Sequence, residues 1–375
     1  MKRKLSALLA IIFCLVLCAP LAAADASKVP TLISEGAVLM DAKTGQVLFE
    51  KNMNEKKFPA SITKIITTCL AVEKGPLDAK LTVSQNAVDR VSRDSSHISL
   101  APGEEITLEE AVCAALLVSA NDACNVMAEY VSGSVEEFAK LMNDKAREFG
   151  AINTNFNNAN GLRDENHYTT PYDMAMITRH AIQNEAFRKY FGMKQFTMKA
   201  NNKQTEARPF NNQHSMLTDS KFKYEGIVGG KAGYTTDALY TLVTVAERDG
   251  RTLIAVVMKS PKLNDKYTDT KALLDYGFQN FQAIEYSPEE LARKDAPAVD
   301  AAGKATTVSL AMKDPIALSV LKGVKKEDVK VDVQIPEPMT AEAKPTVTFS
   351  LAETQTGMYA KLGTYAYSEA KMPVE

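Results

Sequence analysis

The chain has 375 residues, of which 45% are hydrophobic and 24% are charged, and its formal net charge is −2. This is ordinary globular composition, which excludes a disordered, collagen-like or coiled-coil protein. The near-neutral charge argues against nucleic acid as the main partner, and five cysteines over this length are too few for a disulfide-stapled scaffold.

Residues 1–24 predict a secretory signal peptide. A basic start at residues 2–4 precedes the apolar run 5–17 and a small-residue site that ends at Ala24, which is the order of a cleavable export signal. The run is shorter than a membrane span, and an uncleaved anchor is the alternative. We therefore expect an extracytoplasmic protein, in the periplasm or cell envelope or secreted. Three cysteines would remain, each expected to be a buried apolar residue on a helix: Cys69, Cys113 and Cys124.

The main part of the chain predicts an antiparallel sheet with helices packed on it. Apolar runs at 36–40 and 46–49 flank a polar turn and indicate a β-hairpin. From Ser61 to about Phe191 the apolar residues keep helical spacing. A last helix is expected at 268–281. Three strand-like runs precede that helix: 226–228, 239–245 and 253–258.

A second, smaller unit is predicted at the C-terminal end. Prolines and small or charged residues at 285–303 indicate a linker between a domain at 30–284 and a small all-β domain at 304–375. We expect no membrane anchor from the tail at 371–375, which has little apolar area. Four segments of alternating apolar and polar residues predict the strands of the small domain: 306–312, 329–335, 346–351 and 359–367.

Ser61 and Lys64 open the first long helix and form a candidate nucleophile and base. At a spacing of three residues they share a helical face, so the hydroxyl and the amine can touch. The positive end of the helix dipole disfavours a protonated lysine, and a neutral amine can take the serine proton so that Ser61 attacks a carbonyl. Alone the pattern is weak evidence for catalysis, because an N-capping serine followed by a solvated lysine has the same residues at the same spacing.

Two further motifs follow in order. Ser-Ala-Asn at 119–121 comes after an apolar helical stretch, and Lys-Ala-Gly at 231–233 follows two glycines and is expected to open a strand. Ser-x-x-Lys, Ser-x-Asn and Lys-Thr-Gly form the motif set of penicillin-recognising serine acyl-transferases. Over residues 32–281 the chain resembles the D-alanyl-D-alanine carboxypeptidases, which are low-molecular-mass penicillin-binding proteins. The resemblance implies an α+β fold, with a penicillin-binding/β-lactamase-like antiparallel sheet and a helical block, followed by the small all-β domain.

The resemblance implies the catalytic roles. Ser61 would be the acylated nucleophile and Lys64 its base. Ser119 would relay a proton towards the leaving amine. The backbone N–H groups of Ser61 and Tyr234 would form the oxyanion hole.

The resemblance also implies the substrate-binding residues. The Asn121 amide would hold the substrate backbone, and Lys231 would bind the terminal carboxylate and help to keep the other lysine neutral. Ala232 stands where the family usually has Thr, which removes a hydrogen bond to a charged group worth about 1.5–3 kcal/mol. Thr235 could still hold the carboxylate, and Lys266 falls where many relatives place an Arg. An earlier Lys-Thr-Gly at 43–45 precedes the nucleophile and is interpreted as a hairpin turn.

These observations predict a serine D,D-carboxypeptidase that removes the terminal D-Ala from peptidoglycan stem peptides and is acylated by β-lactams at Ser61. No metal or organic cofactor is expected, since the reacting groups all belong to the protein and the four histidines form no ligand pair at helical spacing. A non-catalytic envelope binding protein is one alternative. A class A β-lactamase is the other, although no Glu-x-x-Leu-Asn lies between Asn121 and Lys231.

Overall fold

The computed structural model describes residues 29–218, 221–340, 342–351 and 361–372. The predicted signal peptide and the last three residues of the tail lie outside this part of the chain. In chain order the first unit contains β1 Gly36–Asp41, β2 Val47–Lys51, α1 Lys64–Lys74, β3 Lys80–Thr82, α2 Gln85–Asp89, β4 Glu105–Thr107, α3 Leu108–Leu117, α4 Asn121–Ser132, α5 Val135–Glu148, α6 Pro171–Ala181, α7 Glu185–Phe191, β5 Gln195–Met198, β6 Arg208–Asn211, α8 Ser215–Thr218, β7 Ile227–Thr235, β8 Leu239–Arg248, β9 Arg251–Ser260 and α9 Leu263–Asn280. The second unit contains β10 Phe281–Tyr286, α10 Pro288–Leu291, β11 Arg293–Val299, β12 Ala305–Ala311, β13 Ile316–Leu321, β14 Val329–Gln334, β15 Thr346–Leu351, β16 Lys361–Ala366 and β17 Glu369–Lys371.

A five-stranded antiparallel sheet divides the first unit into two layers. Its strand order is β2-β1-β9-β8-β7, so β7 lies at one edge. Strand β1 is buried along its whole length, because both faces of the sheet are covered. Val38 and Met40 pack against the helical block, whereas Ala37 and Leu39 pack against α9, as the alternation of side chains along a strand requires.

The predicted hairpin, the three later strands and the last helix are confirmed, with two corrections. Helix α9 begins at Leu263, before the predicted start at residue 268, and its first turn carries polar residues that hide the apolar period. Lys231 does not open a strand, because β7 begins at Ile227. Gly229 lies within β7. A Cβ there would lie 2.6 Å from the Phe191 carbonyl oxygen, and this close packing needs a glycine.

The predicted linker at 285–303 contains a short helix and a strand. Ser287 caps α10 in a capping box with Glu290, and Pro288 takes the first turn, where its missing N–H costs nothing. Pro297 lies on β11, an edge strand of the three-stranded sheet β11-β12-β17, the place where a sheet tolerates proline. The division of the chain into domains at this point stays a prediction.

The second unit has its own core between short sheets. Besides β11-β12-β17, strand β10 pairs with β13, and β14-β15-β16 form a third sheet. The predicted segments match β12, β14, β15 and β16, whereas β10, β11, β13 and β17 were not predicted. Val308, Leu318 and Phe349 are fully buried there. Among the described residues, no helix has the length and apolar composition needed to cross a membrane.

Candidate active site

The helix that carries the first motif starts in a strained turn. Residues 60–63 form a 3-10 turn that runs into α1, and Ala60 has a φ of 51°, a left-handed value that costs an alanine free energy. Ser61 therefore lies within the first turn, and no side chain caps this helix start. The N-cap interpretation of the serine is wrong.

Lys64 contacts Ser61 as the spacing predicts. Its Nζ lies 2.9 Å from Ser61 Oγ, 2.7 Å from Asn121 Oδ1 and 2.6 Å from the Asn160 carbonyl oxygen. Burial lowers the pKa of Lys64 from 10.5 to about 8, and the charges of Cys124 and Asp122 partly oppose this shift. The ammonium form donates to all three neighbours, whereas the neutral amine can accept the Ser61 proton. The expected lowering of the pKa is present, and burial is its largest cause.

Lys231 and Ser119 form the second pair. Lys231 Nζ donates to Ser119 Oγ at 3.2 Å and to the Ala232 carbonyl oxygen at 2.8 Å. Burial, and then the charge of Lys64, lower the pKa of Lys231 well below 10.5. Ser119 has a φ of 63° in the connection between α3 and α4, so strain accompanies the second motif as well.

Both polar atoms of the Asn121 side chain form hydrogen bonds. Its Oδ1 accepts the bond from Lys64, and its Nδ2 donates to Ser95 Oγ at 3.1 Å. Ser95 was not among the predicted site residues. A substrate that takes up the Asn121 Nδ2 would replace this serine.

The third motif lies against the nucleophile turn. A Cβ on Gly233 would lie 2.7 Å from Ser61 N and 2.5 Å from Thr241 Oγ1, so only glycine allows the edge strand to approach this closely. Tyr234 is half exposed and packs on Tyr240 with a ring-centroid distance of 4.6 Å. The next residue, Thr235, accepts a hydrogen bond from Ala238 N at 3.1 Å.

These groups line an open cleft of about 600 Å³. The structure therefore brings together the hydroxyls, amines and strand edge that the three motifs predict. The predicted residues on its wall are Ser61, Ser119, Asn121, Tyr234 and Thr235, and Lys64 and Lys231 reach it through their hydrogen bonds.

Comparison with known proteins identifies the family. The family model described as D-alanyl-D-alanine carboxypeptidase matches residues 23–262. The chain belongs to the D-alanyl-D-alanine carboxypeptidase family. It is a serine hydrolase of the penicillin-binding type, a D-Ala-D-Ala carboxypeptidase, as the motifs predict.

Individual relatives span most of this carboxypeptidase. The D-alanyl-D-alanine carboxypeptidase DacF of Bacillus subtilis is 35% identical over 91% of this chain and 87% of that protein. DacA of Haemophilus influenzae is 33% identical over 68% of this chain and 64% of that protein. The solved structure of penicillin binding protein 5 from Haemophilus influenzae has a TM-score of 0.74 and 26% identity, and the match covers 92% of this chain and 97% of that one. The predicted fold class is confirmed.

Lys266 joins the carboxypeptidase site from α9. It lies on the wall of the cleft, with its Nζ 5.3 Å from the ring centroid of Tyr240 and 5.1 Å from that of Tyr267. Burial lowers its pKa from 10.5 to about 8. The structure thus places this lysine in the same cleft as Ala232.

Two groups at the site were missed by the sequence analysis. Asp122 is buried and accepts hydrogen bonds from Ile98 N at 3.1 Å and Leu100 N at 3.0 Å, which holds one wall of the cleft. An acidic residue in the first turn of α4 was the available signal. The Asn160 carbonyl could not be found from its side chain, because a backbone oxygen leaves no mark in the sequence.

Neither the rejected motif nor a histidine lines the cleft. Residues 43–45 form the turn between β1 and β2, where Thr44 N donates to Asp41 Oδ1. His167 is buried, and its Nδ1 accepts from Asn157 N, which leaves Nε2 to donate to Thr63 Oγ1 at 2.9 Å. Burial lowers the pKa of His167 to about 4, so the ring is neutral and holds its loop against the nucleophile turn.

Proposed function

We propose that this chain removes the terminal D-Ala from peptidoglycan stem peptides through an acyl-enzyme on Ser61. The observation that carries the proposal is the contact of Ser61 Oγ with the buried Lys64 Nζ, at 2.9 Å, in the same cleft as the Lys231–Ser119 pair. A base with a lowered pKa beside a hydroxyl is the arrangement that activates a serine.

Acylation starts from the neutral form of Lys64. Its amine takes the proton from Ser61 Oγ, which bonds to the carbonyl carbon of the penultimate D-Ala. Backbone N–H groups of Ser61 and Tyr234 stabilise the oxyanion, and the approach of Gly233 to Ser61 N supports this pairing. Ser119 relays the proton held by Lys64 to the nitrogen of the leaving D-Ala as the C–N bond breaks, and water then hydrolyses the acyl-enzyme and restores the Ser61 hydroxyl. A β-lactam acylates the same oxygen because its strained amide replaces the scissile bond.

The substrate is bound along β7. This strand is the edge of the sheet, so its outward N–H and C=O groups can pair with an extended peptide. Lys231, Lys266 and the Thr235 hydroxyl surround the position of the terminal carboxylate. The export signal predicted at residues 1–24 supports a place of action outside the cytoplasm, where peptidoglycan lies.

The test is labelling of the purified protein with fluorescent penicillin, together with an assay of D-Ala release from a D-Ala-D-Ala peptide. We expect Ser61→Ala to lose both signals. Ser96→Ala is the matched control, since this exposed serine borders the same cleft and should retain both. Labelling of Ser61→Ala would refute the nucleophile assignment. Failure of the unmodified protein in both assays would favour the non-catalytic alternative.

A further inference from the structure

Cys69, Glu73 and His180 meet at the end of α1 remote from Ser61. Cys69 and Glu73 are one turn apart on α1, and His180 comes from the last turn of α6. His180 Nε2 lies 2.9 Å from Glu73 Oε1, and Cys69 Sγ lies 3.4 Å from the same oxygen. All three ligand atoms lie within 4.8 Å of one another. A thiol, a carboxylate and an imidazole thus converge where the sequence analysis expected no metal ligands.

This donor set has the chemistry of a zinc site. Cysteine sulfur, histidine nitrogen and carboxylate oxygen are the ligands that zinc takes, and a thiolate with an imidazole disfavours calcium and magnesium. In a tetrahedral zinc site with bonds of about 2.0–2.3 Å, the ligand atoms are about 3.3–3.8 Å apart. The distances of 2.9 Å and 3.4 Å to Glu73 Oε1 lie near this range, and Cys69 Sγ lies no more than 4.8 Å from the His180 ligand nitrogen. Side-chain rotations would therefore complete the geometry.

The surroundings keep the cluster accessible and ordered. The Glu73 and His180 side chains are 26% and 35% exposed, so an ion can enter from solvent, while Cys69 forms the buried base. The Phe149 ring stacks on His180 with centroids 3.6 Å apart, which holds the plane of the imidazole. Among the described residues, no lysine or arginine pairs with Glu73, and the neighbouring Lys145 is paired with Glu148.

We propose that Cys69, Glu73 and His180 form a structural zinc site, with water as the fourth ligand. The thiol releases its proton to solvent as the Zn–S bond forms. Glu73 binds through Oε1 and His180 through Nε2, and the imidazole proton moves to Nδ1. One Zn²⁺ is bound and one proton leaves the protein. The ion joins the C-terminal half of α1 to α6 and so stabilises the helix that follows Ser61.

The proposal is tested by metal titration of the purified, chelator-treated protein. Zn²⁺ is followed by calorimetry, and Co²⁺ serves as the spectroscopic probe. We expect one Zn²⁺ per chain and a thiolate-to-cobalt charge-transfer band. We also expect a rise in Tm of about 5 °C when free zinc is a hundred times its Kd. Cys69→Ser should lose the band, and His180→Gln should weaken zinc binding at least tenfold.

Cys113→Ser is the control, because Cys113 is also a free, buried cysteine but lies on α3 beside Met193. It should bind metal as the unmodified protein does. If Cys69→Ser does not fold, His180→Gln still decides the question, since its side chain is partly exposed. Absence of stoichiometric zinc binding in the unmodified protein would overturn the proposal. So would unchanged affinity in His180→Gln together with an unchanged band in any folded Cys69→Ser.

Discussion

Lys64 is fully buried, and its Nζ has three hydrogen-bond partners at 2.9 Å or less. Those partners suit either charge state of the amine, since the Ser61 hydroxyl can accept from an ammonium or donate to a neutral nitrogen. The balance between the two states then depends on pH, because burial places the pKa of Lys64 near 8. The ability of Lys64 to accept the Ser61 proton therefore depends on pH.

We expect the rate of acylation by penicillin to rise with pH up to about 8. The pKa of Lys64 is lowered to about 8, so the neutral base is scarce below that pH and predominant above it. The second-order rate constant for adduct formation, measured across this range, checks the prediction. Lys64→Arg cannot lose its proton and should react slowly with no rise. A flat profile in the unmodified protein would contradict the role of Lys64.

Above about pH 8 we expect kcat/KM for a D-Ala-D-Ala peptide to fall. Lys266 also has a pKa lowered to about 8 by burial, so it loses the positive charge that attracts the substrate carboxylate as pH rises further. Lys266→Arg keeps that charge at all of these pH values. The variant should therefore show the rise without the fall. An unchanged fall would assign it to another group.

Ala232 offers a test of how the carboxylate is held. A threonine there adds a hydroxyl within the cleft, and a hydrogen bond to a charged group is worth about 1.5–3 kcal/mol, or about 10- to 150-fold in affinity. We expect Ala232→Thr to raise kcat/KM for a D-Ala-D-Ala peptide, with about tenfold as the lower value. Ala232→Val adds similar volume without the hydroxyl and is the control. A large loss in the threonine variant would mean that the pocket accommodates a different group.

The loop that carries Asn160 is held against the nucleophile turn by close packing of backbone. A Cβ on Gly161 would lie 1.9 Å from the Ala60 carbonyl oxygen, and Gly161 itself has a φ of 87°. The neighbouring Asn160 carbonyl can reach Lys64 because the two segments approach so closely. The environment of the Lys64 amine therefore depends on the absence of a side chain at Gly161.

We expect Gly161→Ala to lower the free energy of unfolding by about 2–4 kcal/mol, because it adds a backbone clash to the strain of a left-handed residue. Penicillin acylation should slow as the Asn160 carbonyl moves away from Lys64. Gly133→Ala isolates the strain, since Gly133 has a φ of 80° but nothing within 4 Å of its Cβ position; it should cost about 1 kcal/mol. Denaturant unfolding measures both variants. Equal losses would contradict the clash.

Across the whole molecule, the hairpin of the first unit is bound to the second unit by paired hydrogen bonds. The Gln46 amide donates to the Ser319 carbonyl oxygen at 3.2 Å and accepts from Ser319 N at 2.6 Å, as a neighbouring strand would. Ser319 Oγ also donates to Asp41 Oδ2 at 2.7 Å. These buried or partly buried contacts join β13 to the edge of the catalytic sheet.

We expect Gln46→Ala to lower the free energy of unfolding by about 1–3 kcal/mol, since it removes two hydrogen bonds and leaves the backbone of Ser319 without those partners. Calorimetry should show a lower Tm or a second transition as the two units separate. Lys43→Ala is the control: it removes only the exposed ion pair with Glu285 and should cost less than about 0.5 kcal/mol. Similar losses in the two variants would show that this docking contact adds little.

The composition around the predicted linker explains why part of the fold was missed. Pro288 and Pro297 are read locally as signs of an open connection, yet one begins a helix and the other lies on an edge strand. Strand β13 pairs with β10, and the paired residues are at least 30 positions apart in the chain, as Phe281 and Leu321 are. Pairing over such a separation is decided by which surfaces are left to bury, and a local pattern does not contain that information.

The sequence by itself determined the family and the main order of strands and helices, and it predicted the contact of Ser61 with Lys64. It could do so because Ser61 and Lys64 are three residues apart on one helix, and because apolar periodicity is a local property. Only the tertiary structure decided that the Asn160 carbonyl and Ser95 complete the site, and that His180 meets Cys69. Each of these contacts joins segments that are distant in the chain, and packing alone brings such segments together.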